Sequence, residues 1–441
     1  MILSLLIENF RSIKGEVKLN LGVNNPKNHM PSHVFFPVEG GHGALRAMGV
    51  YGANASGKSN VLLAFQALKY LVASSGSLKD GDRIPCYDSY RLSNQTKKSP
   101  TRFEVEFLLK GIKYHYKVSF DAYAVISESL DFYPSKIKAN IFTRENDDTW
   151  ETIKFGGHYK GGTKKIAFFK NNTYISKAGD NASTPELIRD VFNFFYKTLI
   201  HMGTFERLSL ARSKKRDEII KSVADVMKLI DTGIDDISAS EIDFEPAMPL
   251  PDDFPSELKE ILLAEGRVQY NFSHGNEDGG FEIFSDSDES DGTQKLFALL
   301  PLVLPAFKRQ RVIVIDELDN NLHPHLADLI VKLFNDSTIN VYGSQLIFST
   351  HNIQLMSSDK LRRDQISFVE KNSGNSVLYS LDDFDKSLVK NNTPFGTWYS
   401  DGRFGGVPQL SYNKIKNVLR PNEKAEVSEA HFISLFGGDD E

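Results

Sequence analysis

One cysteine in 441 residues, Cys86, leaves no partner for an intramolecular disulfide and no Cys pairs for a zinc site, which points to a reducing cytosol. No run of about 18 apolar residues occurs, so no membrane span is expected. The opening Met1–Ile7 is too short for a secretory apolar segment, has no leading Lys or Arg, and reads as a strand. Excess positive charge is missing too. With 52 Lys and Arg against 58 Asp and Glu the formal charge is −6, which excludes a uniformly basic nucleic-acid coat and leaves room only for local DNA contact. Internal repeats, low-complexity tracts and sustained heptads are also lacking, apart from the acidic end Asp439–Glu441, so no long coiled coil is expected. What is present, 40% hydrophobic and 25% charged residues, is a globular composition with room for one large domain or two to three ordinary ones.

Along the chain, Leu45–Tyr51 is an apolar run followed by a glycine-rich turn and an amphipathic stretch from Lys58 to about Val72: strand, loop, helix. Residues 102–121 alternate with period two around the Gly111 turn and predict a hairpin, with shorter strands near 124–132, 137–143 and 150–155. From Thr184 to about Leu229 the period turns helical, Pro185 taking a first-turn place and Leu187, Ile188, Val191, Phe192 and Phe195 one apolar face. Strands return over 269–284, and beyond 290 helices and strands alternate as in a parallel sheet.

Gly52-Ala53-Asn54-Ala55-Ser56-Gly57-Lys58-Ser59 is a complete P-loop pattern between the predicted strand and helix. Its glycines let backbone N–H groups curl round phosphates, the helix N-terminus adds its dipole, Lys58 reaches the β- and γ-phosphates and Ser59 ligates magnesium. Val312–Ile315, an apolar run of buried-strand length, ends in Asp316 and Glu317. There Asp316 can hold magnesium through water and Glu317 can orient the attacking water. Ser290-Asp291-Gly292-Thr293, just before a helix beginning near Lys295, combines a hydroxyl, a glycine for close approach and a free helix start. Taken alone, that is also an ordinary N-cap. Gln345–Ser349 is another buried strand, ending at Thr350 and His351.

Together, Glu8-Asn9-Phe10-Arg11, the P-loop with Asn54, Ser290–Thr293, Asp316-Glu317 followed by Leu322-His323-Pro324, and Ser349-Thr350-His351 resemble the RecF, SMC and OLD branch of ABC ATPases over residues 1 to about 355. More narrowly the chain is similar to the AbiL or RloA-like ATPases of bacterial phage-defence operons, through Leu361–Ile366 and Gly402–Gly406. The resemblance implies an α/β fold, an ABC-type P-loop NTPase head with a mixed or parallel sheet, an antiparallel β subdomain and a short helical insertion. It divides the chain into 1–180, an N-lobe with P-loop and β subdomain; 181–265, the insertion; 266–370, a C-lobe with signature, paired acids and switch histidine; and 371–441, a C-terminal extension. It further implies a cytoplasmic ATPase using ATP and Mg2+, with Arg11 and Asn60 joining the P-loop residues as nucleotide contacts. His351 would contact the γ-phosphate, and Ser290, Gly292 and Thr293 would close on the γ-phosphate of a second subunit. The implied partners are a homodimer, or a higher even-numbered homo-oligomer, and a separately encoded effector, often nuclease-like, in abortive infection.

Two departures stand out. Asp291 occupies a place where the signature has glycine, and Gln66 and Gln95 are weak candidates for the lid-loop glutamine that completes the magnesium shell. Both bear on hydrolysis rate more than on nucleotide binding. Asp382, Asp383 and Asp385 lie in one loop-like cluster without the strand ends a Toprim nuclease needs, so no nuclease activity is expected of this chain. Arg207, Arg212, Lys214, Lys215 and Arg216 form either a phosphate-contacting patch or, more in keeping with Glu206, Asp217 and Glu218 among them, a solvated helix face. Tyr412, Leu419, Phe432 and Phe436 belong either to a partner-docking tail or to a segment packed on the chain's own body. The rival functions are a RecF-like ATPase that clamps duplex DNA and an ATP-binding scaffold with little hydrolysis.

Overall fold

The apolar opening folds as β1 (Ile2–Glu8), paired antiparallel with β2 (Val17–Asn20). β3 (Gly22–Val23), β4 (Val34–Phe35) and β5 (Gly43–Leu45) make a small sheet, and the fully buried β6 (Ala47–Tyr51) leads through the glycine-rich loop into α1 (Lys58–Ala73). The predicted hairpin is β7 (Thr101–Leu109) and β8 (Ile112–Phe120), continued by β9 (Val125–Tyr133), β10 (Ala139–Arg144) and β11 (Lys154–Phe155). Helices α2 (Tyr174–Gly179) and α3 (Glu186–Asn193) follow, the second with Ile188, Val191 and Phe192 buried as its periodicity predicts. This is a computed structural model, and it describes residues 1–23, 29–145, 148–202, 213–243, 266–408 and 411–419, with Leu210 and Leu263.

Within the stretch read as helical, Leu199–Met202 is instead a strand, β12, parallel to the strand that ends in the paired acids. A four-residue segment has no resolvable period, and edge pairing decides its conformation. Then come α4 (Arg216–Lys228), a three-stranded sheet of β13 (Ile234–Glu241), β14 (Val268–Gly275) and β15 (Phe281–Ser285), and α5 (Asp291–Ala306). β16 (Val312–Ile315), α6 (Pro324–Asn335), β17 (Gln345–Ser349), β18 (Ile366–Asn372), β19 (Asn375–Ser380) and α7 (Phe395–Ser400) complete the compact unit Met1–Gly406. A second unit, Val407–Glu441, contains α8 (Tyr412–Leu419), whose residues are all exposed. Arg207, Arg212, Phe432 and Phe436 lie outside the described residues.

Two large sheets organise the first unit. One is antiparallel, in the order β11-β10-β9-β8-β7-β1-β2; the other runs β12-β16-β17-β6-β18-β19, parallel except for its last strand. Helix α1 joins them: Val61, Phe65 and Leu68 share a core with Leu5, Phe103 and Phe107 of the first sheet and Val312, Val314 and Ile347 of the second. Each such side chain contributes about 1.5–3 kcal/mol on full burial. Gln345, fully buried, stitches the sheets at a second point, accepting from Ile2 N–H and donating to the Ile2 and Leu45 carbonyls at 3.0 and 2.9 Å. Ile315, Phe348 and Gly49 form one row across β16, β17 and β6. The residues after these strands therefore leave the sheet along one edge, where open parallel sheets place their ligands.

Candidate functional site

The loop after β6 has the backbone that an anion cradle requires. Gly52, Ala55 and Gly57 have φ of 153°, 60° and 113°, and no side chain caps the start of α1. The free N–H groups of that first turn, which include those of Lys58, Ser59 and Asn60, point out of the helix end with the positive end of its dipole. Lys58 is 6% exposed, its ammonium donating to the Gly52 and Ala53 carbonyls at 3.0 and 3.1 Å. Burial lowers its pKa, against the opposing pull of Asp316, Glu317 and Asp319. Asn54 and Ala55 are exposed at the loop tip, and Ser56 is buried beneath it.

Asp316 and Glu317 emerge one strand beyond the neighbour of β6, held by a single hydroxyl. Ser349 Oγ donates to the Asp316 carboxylate and accepts from Glu317 N–H at 2.8 Å. Glu317 itself has φ 50°, a left-handed turn that leaves the residue exposed. On the adjoining strand end, the His351 N–H meets both oxygens of Asp319 at 3.3 Å. The structure therefore brings Lys58, Asp316 and Glu317 into one electrostatic group and ties exposed His351 to the loop that follows the acids.

Ser290, Gly292 and Thr293 stand elsewhere on the chain. Ser290 is the N-cap of α5, which begins at Asp291 rather than near Lys295 because the Ser290 hydroxyl accepts from Thr293 N–H at 3.2 Å. A Cβ on Gly292 would sit 2.9 Å from the Asn321 carbonyl, so this glycine permits the close approach of α5 to the loop after the acids. These residues line a groove of about 730 Å3 with Leu229, His323 and His325, and no P-loop residue of the same chain lines it.

The N-terminal turn also lies against α1. The Arg11 guanidinium pairs with Asp88 at 3.2 Å, and its neighbour Ser12 is the residue that touches α1, accepting from Asn60 Nδ2 at 2.6 Å. Ser376 completes that contact: its hydroxyl donates to the Ser56 carbonyl at 2.5 Å and lies 2.7 Å from Ser12 Oγ. Sequence reasoning gave no role to Ser12, Ser376 or Asp319 and did not foresee that Ser349 bridges the acids, because contacts between residues far apart in sequence leave no local signal. Lys295, noted in the sequence only as a helix start, is given no site role there; burial lowers its pKa, opposed by Glu317, Asp316 and Asp319. Gln66 and Gln95 are both exposed, on α1 and in the loop before β7. Of the basic cluster, Lys215 pairs with Glu218 at 3.7 Å and Arg216 with Asp217 at 3.4 Å. Asp382 pairs with Lys386 at 3.4 Å, while Asp383 and Asp385 accept from the Ser380 and Ser387 N–H groups.

A family model described as "AAA domain, putative AbiEii toxin, Type IV TA system" matches residues 47–357, from β6 to just past His351. The chain belongs to this AAA-domain family. No curated protein matches it. Among solved structures it is similar to the SMC head domain from Thermotoga maritima, at 13% identity and TM-score 0.39 over 86% of this chain and 98% of that one. It is similar also to an SmcHead bound to the C-winged helix domain of ScpA, at 12% identity and TM-score 0.43 over 86% and 97%. A third is an Smc head domain with an extended coiled coil, bound to the C-terminal domain of ScpA derived from Pyrococcus furiosus, at 13% identity and TM-score 0.38 over 86% and 96%.

Proteins of the AAA-domain family use ATP with Mg2+, and the residues here suit both. The curled loop and uncapped helix fit a polyphosphate. The Ser59 hydroxyl and Asp316 carboxylate are the hard oxygen donors that magnesium takes. Bound magnesium neutralises charge on the β- and γ-phosphates. A Cβ at Gly57 would overlap the Ser376 hydroxyl, so the loop cannot take up its curl unless Ser376 and Gly57 match. Ser376→Ala is therefore expected to weaken Mg-ATP binding about threefold to tenfold, the value of one neutral hydrogen bond, with Ser376→Thr intermediate. Titration with a fluorescent ATP analogue reads this directly; unchanged affinity in the alanine variant would remove Ser376 from the site.

Proposed function

We propose that the chain is an ATP-hydrolysing switch in which two copies close head to tail around two ATP and two magnesium ions. Each site would combine Lys58, Ser59, Asp316, Glu317 and His351 of one copy with Ser290, Gly292 and Thr293 of the other. One observation carries the reading: the Ser290–Thr293 helix start opens into a groove without any P-loop residue of its own chain. An anion site with no phosphate-holding loop beside it needs a phosphate brought by another molecule, and a second copy brings one. Glu317, exposed and held at its backbone by Ser349, is free to orient water at the γ-phosphate. Hydrolysis would then open the pair.

In this reading the switch holds or licenses a separately encoded, nuclease-like effector in phage defence. Support comes from the motif resemblance and from the family description, which names a toxin and a type IV toxin–antitoxin system.

Mixing two inactive variants tests the composite site. Lys58→Ala and Ser290→Arg should each be inactive alone, and their mixture should regain turnover, because one of its two sites joins an intact Lys58 to an intact Ser290. A mixture as inactive as its components, with no change of mass on sizing in ATP, would end the two-copy mechanism. Co-purification with the product of the neighbouring gene, with and without ATP, tests the effector role. Tight, salt-sensitive duplex binding by the protein alone would favour a DNA clamp instead.

A further inference from the structure

His201 lies on β12, where it pairs with Val314 of β16. Side chains alternate along a strand, so Val314 and Asp316, two residues on, share a face, and His201 stands on that same face one strand over. That is the side packed against α1, since Val314 belongs to the core with Val61 and Phe65. Both ring nitrogens of His201 are buried, and neither has a hydrogen-bond partner among the described residues. A leucine would fill this place without an unmet polar group, because burial of unpaired polar atoms is unfavourable. Burial lowers the imidazole pKa, the nearby Asp316 carboxylate opposing this and Lys69 adding to it. A neutral imidazole has one donor and one acceptor, which suits a hydrogen-bonded water. Magnesium in such sites keeps several waters and takes few protein ligands, so its hold depends on groups that bind those waters.

We propose that His201 is a positioning residue for the magnesium site, hydrogen-bonding a water shared with the hydrated cation on the α1 side of Asp316. The inference rests on Asp316 and Ser59 being the magnesium residues of the proposed ATPase. His201 touches neither nucleotide nor reacting atoms; it acts through the water. It is not demanded by packing, which separates the proposal from a structural role.

Mn2+ serves as the probe, its free concentration read by electron paramagnetic resonance in the presence of a non-hydrolysable ATP analogue. His201→Leu is expected to raise the Mn2+ dissociation constant tenfold or more, the usual effect of losing an outer-shell partner. Metal-free binding of the analogue should stay within twofold of wild type, and the melting temperature without nucleotide should not fall. His201→Gln, which offers a donor and an acceptor, is expected to recover most of the Mn2+ affinity; it also carries the test if the leucine variant does not fold. Wild-type Mn2+ affinity in both variants would overturn the proposal. So would a proportional loss of melting temperature and metal-free binding, the mark of a structural residue. Failure of the wild-type protein itself to bind Mn2+ with the analogue would instead overturn the ATPase reading beneath it.

Discussion

Glu317→Gln is expected to lower steady-state ATP turnover at least a hundredfold while ATP stays bound. A positioned general base contributes about 10²–10⁴-fold, and the amide keeps the shape and the backbone of Glu317 but cannot take a proton. Nothing else in the acid pair needs to change: Asp316 keeps its bond from Ser349, and the left-handed turn at φ 50° is held by the residue 317 N–H rather than by its carboxylate. The variant should therefore still assemble the site and accumulate as the closed pair. Phosphate release reads the turnover, and sizing with ATP and Mg2+ should show a species of twice the mass that wild type forms only briefly. Turnover within tenfold of wild type would remove Glu317 from the chemistry.

Lys58→Met should abolish ATP-dependent stabilisation without harming the fold. A ligand at one hundred times its dissociation constant adds about 2.7 kcal/mol to a folded protein, and that increment, seen as a rise in melting temperature, should disappear in the variant. The stability of the nucleotide-free protein goes the other way. Burial lowers the Lys58 pKa below its unfolded value, so the folded chain holds this proton less tightly than the unfolded one. Such a base disfavours folding while it is charged, below its folded pKa, and the penalty is relieved as pH rises from that value towards the unfolded one. While the ammonium is charged the penalty stands, and replacing it by a thioether removes it. Without nucleotide, Lys58→Met should thus melt no lower than wild type at pH 7, with its advantage shrinking at alkaline pH. An undiminished ATP shift in the variant would exclude Lys58 from phosphate binding.

How legible the site was depends on the range of the interactions that form it. The loop between β6 and α1 could be read because its determinants are local: an apolar run, glycines at both ends and a lysine at the helix start. The fully buried β16 ahead of Asp316 and Glu317 was legible for the same reason, since an apolar run of strand length ending in acids needs no partner to be noticed. Ser290 was ambiguous in sequence, being an ordinary N-cap as readily as an anion ligand. In the structure it caps α5, in the company of Gly292 packed on Asn321. The pairing of Arg11 with Asp88, far along the chain, and the contact of Ser12 with α1 were not legible in the motif. His201 fell in a stretch read as helical, where nothing connected it with the acids.

Local chemistry was enough to determine that the chain is an α/β protein with a phosphate-binding loop, a buried strand ending in two acids and a second ending in histidine. The order β12-β16-β17-β6-β18-β19 was decided only by tertiary pairing. So were the Ser349 bridge between the acids, the hold of Asp319 on His351, the Ser376 contact with the loop and the placing of the His201 imidazole one strand from Asp316. Each of these joins residues at least 32 positions apart or sets one strand against another. Hydrogen bonds and packing across such separations depend on which strands lie side by side, and neither glycine spacing nor hydrophobic period carries that information.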